Sequence, residues 1–197
     1  MNDPLKHSKA NLRAAQQAVE AMVNASSFDN YENEWREYLG HLEKAWVKVE
    51  RACVPIQAKF QPWQGKFQSL RRKDMLLRYL KAARDADTHS IQDLTRLNPG
   101  YRTMNFANPQ GGYIERLEIG AGGQIVEYRG DPMIITDIPP QPVALPVKNN
   151  GQWYNPPTSH LGKQVVDQHP TNLAKMGLHF YTEFIADVEQ TFFQPKQ

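Results

Sequence analysis

The stretch YENEWREYLGHLEKAWVKVERAC, residues 31–53, decides the fold class. Trp35, Tyr38, Leu39, Leu42, Trp46, Val49 and Cys53 recur mostly at three- and four-residue steps, while Glu32, Glu34, Glu43, Lys44, Lys48 and Glu50 take the other faces. This spacing lays one apolar stripe along a helix, and such a stripe has to be buried against other elements. Cys53 continues the stripe, so a buried structural thiol is expected rather than a nucleophile. Pro55 ends or kinks the helix.

Working outward, Asn2-Asp3-Pro4 reads as a helix start, with Leu5, Leu12, Ala15, Val19, Met22 and Val23 near helical spacing behind it. Residues 24–30 read as a break in which Ser26, Ser27 and Asp29 turn or cap the chain. Residues 54–70, with two prolines and a glycine, read as a structured connection. Ser69 is then expected to cap a third helix from about Leu70 to Thr88, with Met75, Leu76, Tyr79, Leu80, Ala83 and Ala86 inward. Ile91 to Leu97 reads as a further short helix before the stop at Asn98-Pro99-Gly100.

Beyond Gly100 the period changes. Tyr113–Ile119 and Gln124–Tyr128 alternate like strands around Gly120–Gly123, which predicts a hairpin and not a phosphate cradle, since no Lys and no helix start follow. Pro132–Ile138 and Val143–Val147 read as short strands, and Asn150-Gly151 as a tight hairpin turn into Gln152–Tyr154. Residues 171–193 return to helical spacing through Leu173, Leu178, Tyr181, Phe184, Ile185, Val188 and Phe192. His160 and His169, in a proline-rich loop, read as surface residues.

The fold expected is therefore α+β, mainly α. A helical bundle spans 1–98, a small antiparallel β-containing region spans 99–169, and a C-terminal helix over 170–197 packs back on the bundle. No apolar run reaches the roughly 20 residues a membrane-spanning helix needs. The single cysteine excludes an internal disulfide, and a cytoplasmic protein is expected. The six histidines show no zinc-like spacing, so neither a metal nor a cofactor is expected.

Charge is distributed unevenly. Residues 44–84 carry eleven basic side chains and two acidic ones, while the whole chain is only +2. Arg71, Arg72, Lys73, Arg78 and Lys81 are the candidate nucleic-acid-binding residues, with Trp63, Phe67 and Tyr79 lying among them in sequence. Basic surfaces with interleaved aromatics suit single-stranded nucleic acid. A solvated cationic helix face explains the same run equally well.

The stretch MLLRYLKAARDADTHSI, residues 75–91, places Arg84 and the polar Asp85 ahead of His89 at the end of an amphipathic helix. It resembles the motif of HEPN-domain proteins, a helical-bundle superfamily that includes RNA-cleaving toxins and defence nucleases. The resemblance implies a metal-independent ribonuclease acting as a homodimer, with RNA as substrate and a partner protein or antitoxin. His89 would be the acid/base, Arg84 the phosphate clamp and Asp85 the residue that orients them. The alternative is a non-catalytic binding or scaffold protein in which Arg84 pairs with a neighbouring carboxylate and His89 caps its helix. Arg36 and His41 repeat the same separation within the second helix and are assigned no function. Residues five apart leave an ideal helix about 140° apart. One phosphate can meet both Arg84 and His89 only at a distorted helix end or across two subunits.

Overall fold

The computed structural model describes residues 3–194. Five helices carry the fold: α1 (Lys6–Val23), α2 (Phe28–Ala52), α3 (Gln57–Lys73), α4 (Met75–His89) and α5 (Pro170–Val188). A 3-10 turn over Val54–Ile56 links α2 to α3, and α5 runs on into a π-helical turn over Glu189–Phe193. The apolar stripe of α2 is buried as its spacing requires: Trp35, Tyr38, Leu39, Leu42, Trp46, Val49 and Cys53 are all core residues. Burial pushes the Cys53 thiol up to about 11, which suits an inert structural role.

The C-terminal helix packs back on the N-terminal helices, against α1, α2 and α4. Its aromatic face packs among the rings of α2 and α3. The Phe184 ring stacks on Trp46 at 4.5 Å and meets the edge of Phe67 at 5.0 Å. Gly177 of α5 lets the helices approach closely, because a Cβ there would meet Leu80 Cδ1 at 2.4 Å and the Tyr38 hydroxyl at 2.5 Å.

Three local expectations are corrected. Residues 54–70 are more than a structured connection, since most of them form the long helix α3 with Pro62 inside it. The helix gives up one backbone hydrogen bond at Pro62 but buries Phe60, Gln64 and Phe67 along one face. The cap before α4 is Asp74, not Ser69: α3 runs on to Lys73, and Asp74 Oδ1 accepts the Leu77 amide at 3.0 Å. Residues 91–97 do not form a helix. Thr95–Asn98 (β1) pairs instead with Gln141–Ala144 (β6), with Leu94 and Thr95 buried beside it.

Neither His160 nor His169 is a simple surface residue. The His160 side chain is only 12% exposed, and its Nδ1 lies 2.9 Å from Asp74 Oδ1. Asp74 Oδ2 also accepts the Leu161 amide at 2.7 Å, so one carboxylate caps α4 and fastens the loop that carries His160. Burial alone would raise the Asp74 pKa, but hydrogen bonds from His160, Leu161 and Leu77 outweigh it and hold the carboxyl below its usual range. A depressed carboxylate stabilises the fold above the unfolded pKa, and that contribution is lost as pH falls through the folded pKa. Asp74→Ala is therefore expected to cost about 1–2 kcal/mol near neutral pH. Urea titrations at pH 7 and pH 3 should find the difference shrinking at the lower pH; an equal loss at both would contradict this account of Asp74. His169, half-buried, caps α5, its Nδ1 accepting the Thr171 amide at 3.3 Å.

The chain divides into two compact units, residues 1–97 with 142–197, and residues 98–141. In the smaller unit, Tyr101–Phe106 (β2), which the sequence pattern did not reveal, pairs antiparallel with Met133–Ile138 (β5). Between them in sequence lies the expected hairpin of Ile114–Ile119 (β3) and Ile125–Gly130 (β4). Arg102 and Asp137 sit opposite each other in register and form a two-pronged ion pair. In the helical unit, Val147–Asn149 (β7) and Gln152–Tyr154 (β8) form a short hairpin against α4. Its turn residues Asn150 and Gly151 have φ of 48° and 80°, the left-handed pair that an Asn-Gly turn accommodates. Ser159–His160 (β9) and Lys163–Gln164 (β10) complete the strands among the described residues.

Candidate functional site

Arg78, Lys81, Ala82 and Asp85 follow the i, i+3, i+4, i+7 rule and so share one face of α4. That face, the end of α3 and the β7–β8 hairpin enclose a cleft of about 320 Å³. Arg71 and Arg72 enter from α3, and Asn149, Asn150, Gln152 and Tyr154 from the hairpin. An adjoining hollow of about 260 Å³ shares Arg71, Arg72 and Lys81 and adds Trp46, Glu50 and Gln68. Four of the five basic residues singled out from the sequence thus line one cleft, together with Asp85. Lys73 is exposed and outside it.

The four cations are not equivalent. Arg71, 8% exposed, is held by Glu43 through one terminal nitrogen and lies over the Trp46 ring at 4.2 Å, yet its Nε has no hydrogen-bond partner. Arg78 makes no ion pair among the described residues. Its guanidinium lies 5.6 Å from the Tyr154 ring centre, and its buried Nε is also without a partner. Among the described residues Arg72 bonds the Gln68 carbonyl of its own helix alone, at 3.3 Å. Lys81, by contrast, is neutralised by Asp85 at 2.7 Å. With Arg72 and Arg78 lacking a carboxylate partner among the described residues, the cleft keeps uncompensated positive charge for an anion.

Asp85 is the anchor of the cleft wall. It accepts from Lys81, from Arg84 Nη1 at 3.0 Å and from Asn149 Nδ2 at 3.2 Å, which ties the hairpin to α4. Burial would raise its pKa, but hydrogen bonds from Lys81 and Arg84 outweigh this and keep it below the usual carboxylate range.

Arg84 and His89 are placed apart from the cleft. α4 stays helical through His89, and the Ser90 amide still reaches the Ala86 carbonyl at 2.9 Å. The two side chains therefore leave the axis about 140° apart. Arg84 is 34% exposed and turned to Asp85. His89 is exposed at the helix end, with no hydrogen-bond or ionic partner among the described residues. The Arg36/His41 repeat of the spacing is accounted for locally: Arg36 pairs with Asp87 and Glu32, and His41 contacts Asn11 and Glu37. Trp63 and Phe67 do not interleave with the cationic surface as aromatic platforms. They pack on each other at 4.9 Å and on Phe184, with Lys66 lying over both rings. Tyr79 is core and donates to the Leu145 carbonyl at 2.8 Å.

The hairpin residues Asn149, Gln152 and Tyr154 were not identifiable as site residues from the sequence. The Asn-Gly turn predicted their hairpin, but nothing local placed it beside α4. A larger pocket of about 590 Å³ lies between the α1–α2 turn and the start of α5. Its polar groups Tyr31, Thr171, His169 and Asp167 bond one another or adjacent backbone. Among the described residues no cluster of His, Cys, Asp and Glu is placed to hold a metal, and no helix is long and apolar enough to cross a membrane.

No family model, curated protein or solved structure matches the chain.

Proposed function

We propose that this protein binds single-stranded RNA, holding its phosphates in the α3–α4 cleft. One observation carries the reading: Arg72 and Arg78, neither paired with a carboxylate among the described residues, converge with Arg71 and Lys81 on a single polar cleft. Guanidinium forks suit phosphate oxygens, and the amides of Asn149, Asn150 and Gln152 beside the Tyr154 ring suit the edges and face of a base.

The test is fluorescence anisotropy with an end-labelled single-stranded RNA over a range of salt. Saturable binding whose log affinity falls linearly with log salt is expected; no binding at 50 mM salt would overturn the reading. Asp85 tempers the site, because it neutralises Lys81 and Arg84. Asp85→Asn is expected to tighten RNA binding about 3- to 10-fold at low salt by freeing those cations. An unchanged or weaker Kd would contradict that role.

Cleavage is a second reading, supported by the exposed, unpartnered His89 and the resemblance of residues 75–91 to the HEPN motif. The regular helix means that Arg84 and His89 would act on one phosphate only across two copies of the chain. Incubating RNA with the protein in EDTA tests this: cleavage lost in His89→Ala supports it, and cleavage retained in that variant, or absent from the wild type, removes it.

A further inference from the structure

The β7–β8 hairpin has a second face that the cleft does not use. Directly opposed residues of an antiparallel pair lie on the same face, so Val147 with Tyr154, and Asn149 with Gln152, form one face. That face turns toward α4: Val147 is fully buried, and the other three residues are in contact with Asp85 or line the cleft. The remaining pair, Lys148 and Trp153, stands on the other face. Trp153 is 60% exposed, whereas Trp35 and Trp46 are core residues at 0% and 3%. The Lys148 ammonium lies 6.0 Å from the Trp153 ring centre.

An exposed indole on a loose loop would be of no consequence, but this hairpin is fastened on three sides. The Gln92 side chain accepts the Lys148 amide at 2.8 Å and donates to the Lys148 carbonyl at 2.9 Å, so it pairs with that residue as a neighbouring strand would. Asp85 holds Asn149, and Val147 is locked in the core. Trp153 therefore sits on a rigid base, with little ordering left to be done when something stacks on it. A large apolar ring with a cation beside it, a few residues from a phosphate-binding cleft, matches the alternation of base and phosphate along a single strand.

We infer that Trp153 is a base-stacking platform, and that a single RNA strand passes over the β7–β8 hairpin with its phosphates in the cleft on one side and one base on the Trp153 ring on the other. Lys148 neutralises the phosphate next to that base. This inference rests on the RNA-binding reading of the cleft.

The two are separated by comparing labelled RNA with inorganic polyphosphate as competitor, which carries the charge but no bases. Trp153→Ala is expected to weaken RNA binding about 10-fold or more, to leave polyphosphate binding and the salt slope unchanged, and to be largely rescued by Trp153→Phe. RNA binding unchanged in Trp153→Ala overturns the platform while leaving the cleft reading intact. RNA and polyphosphate weakened together, or a lowered melting temperature shared by both variants, also overturns it, because the residue then supports the hairpin instead of a base. If the wild type binds neither ligand, the cleft reading fails and the platform with it.

Discussion

Phe184→Ala is expected to lower stability by about 3–5 kcal/mol, the range for emptying a buried aromatic site. The Phe184 ring is fully buried and joins three helices, stacking on Trp46 of α2 and meeting Trp63 and Phe67 of α3. Rigid aromatic neighbours collapse poorly into the space a ring leaves, which places the cost toward the upper end of that range. Total stabilities of domains this size are roughly 5–15 kcal/mol, so the variant should be marginal at 37 °C. Urea denaturation should give a lower midpoint at an unchanged m-value; a loss under about 1 kcal/mol would contradict the packing described for α5. The effect extends to the cleft. Phe184 supports Trp46, and Trp46 supports the Arg71 guanidinium from beneath, so RNA affinity should weaken even where the variant is still folded.

The second large effect is on binding. Replacing Arg72 and Arg78 together by Ala removes the two cleft cations that have no carboxylate partner. If the two unpaired cations, Arg72 and Arg78, each neutralise one phosphate, they contribute about −1.4 to the wild-type salt slope, from roughly −0.7 per contact for a single strand. The double variant should lose about 1.4 of that slope and 10- to 100-fold in affinity at 0.1 M salt. Lys73→Ala is the matched control, since it removes a neighbouring charge outside the cleft and should change affinity less than about 2-fold. Equal losses in the control and the double variant would mean that general positive charge, not the cleft, holds the strand.

The helical frame was legible because its signals are local. The stripe from Trp35 to Cys53, and that from Leu173 to Phe192, state in sequence which faces turn inward; the first is buried throughout, and the second is buried except for the part-buried Leu178 and Phe192. Asn150-Gly151 likewise announced its turn, because few residue pairs accept two successive positive φ values. What failed was punctuation. Pro62 lies in a stretch that reads as a connection, yet the aromatic packing of Phe60 and Phe67 keeps α3 intact through it. Asp74 reads as an ordinary acidic residue, and only the fold brings His160 and Leu161 to it across 86 and 87 positions.

The site followed the same division. Arg78, Lys81 and Asp85 share a helix face by spacing alone, and Arg71 and Arg72 belong to the same basic run. That Arg71 is bound by Glu43 while Arg78 is unpaired depends on which helices meet, and no local pattern encodes it. Trp63 and Phe67 show the converse error: interleaved with cations in sequence, they turn inward to α5. The aromatics that do meet the basic cleft are Trp46 and Tyr154, one well before and one well after the cations in the chain.

The most direct test of the cleft is arginine side-chain NMR, following the Nε–Hε resonances of 15N-labelled protein during titration with a single-stranded RNA. The Nε groups of Arg71 and Arg78 are buried without an acceptor among the described residues, and each reports on its own guanidinium. They should shift together, over the same concentration range as the anisotropy change, while Arg102, already paired with Asp137, stays still. Shifts confined to arginines outside the cleft, with Arg71 and Arg78 unmoved at saturating RNA, would contradict the account.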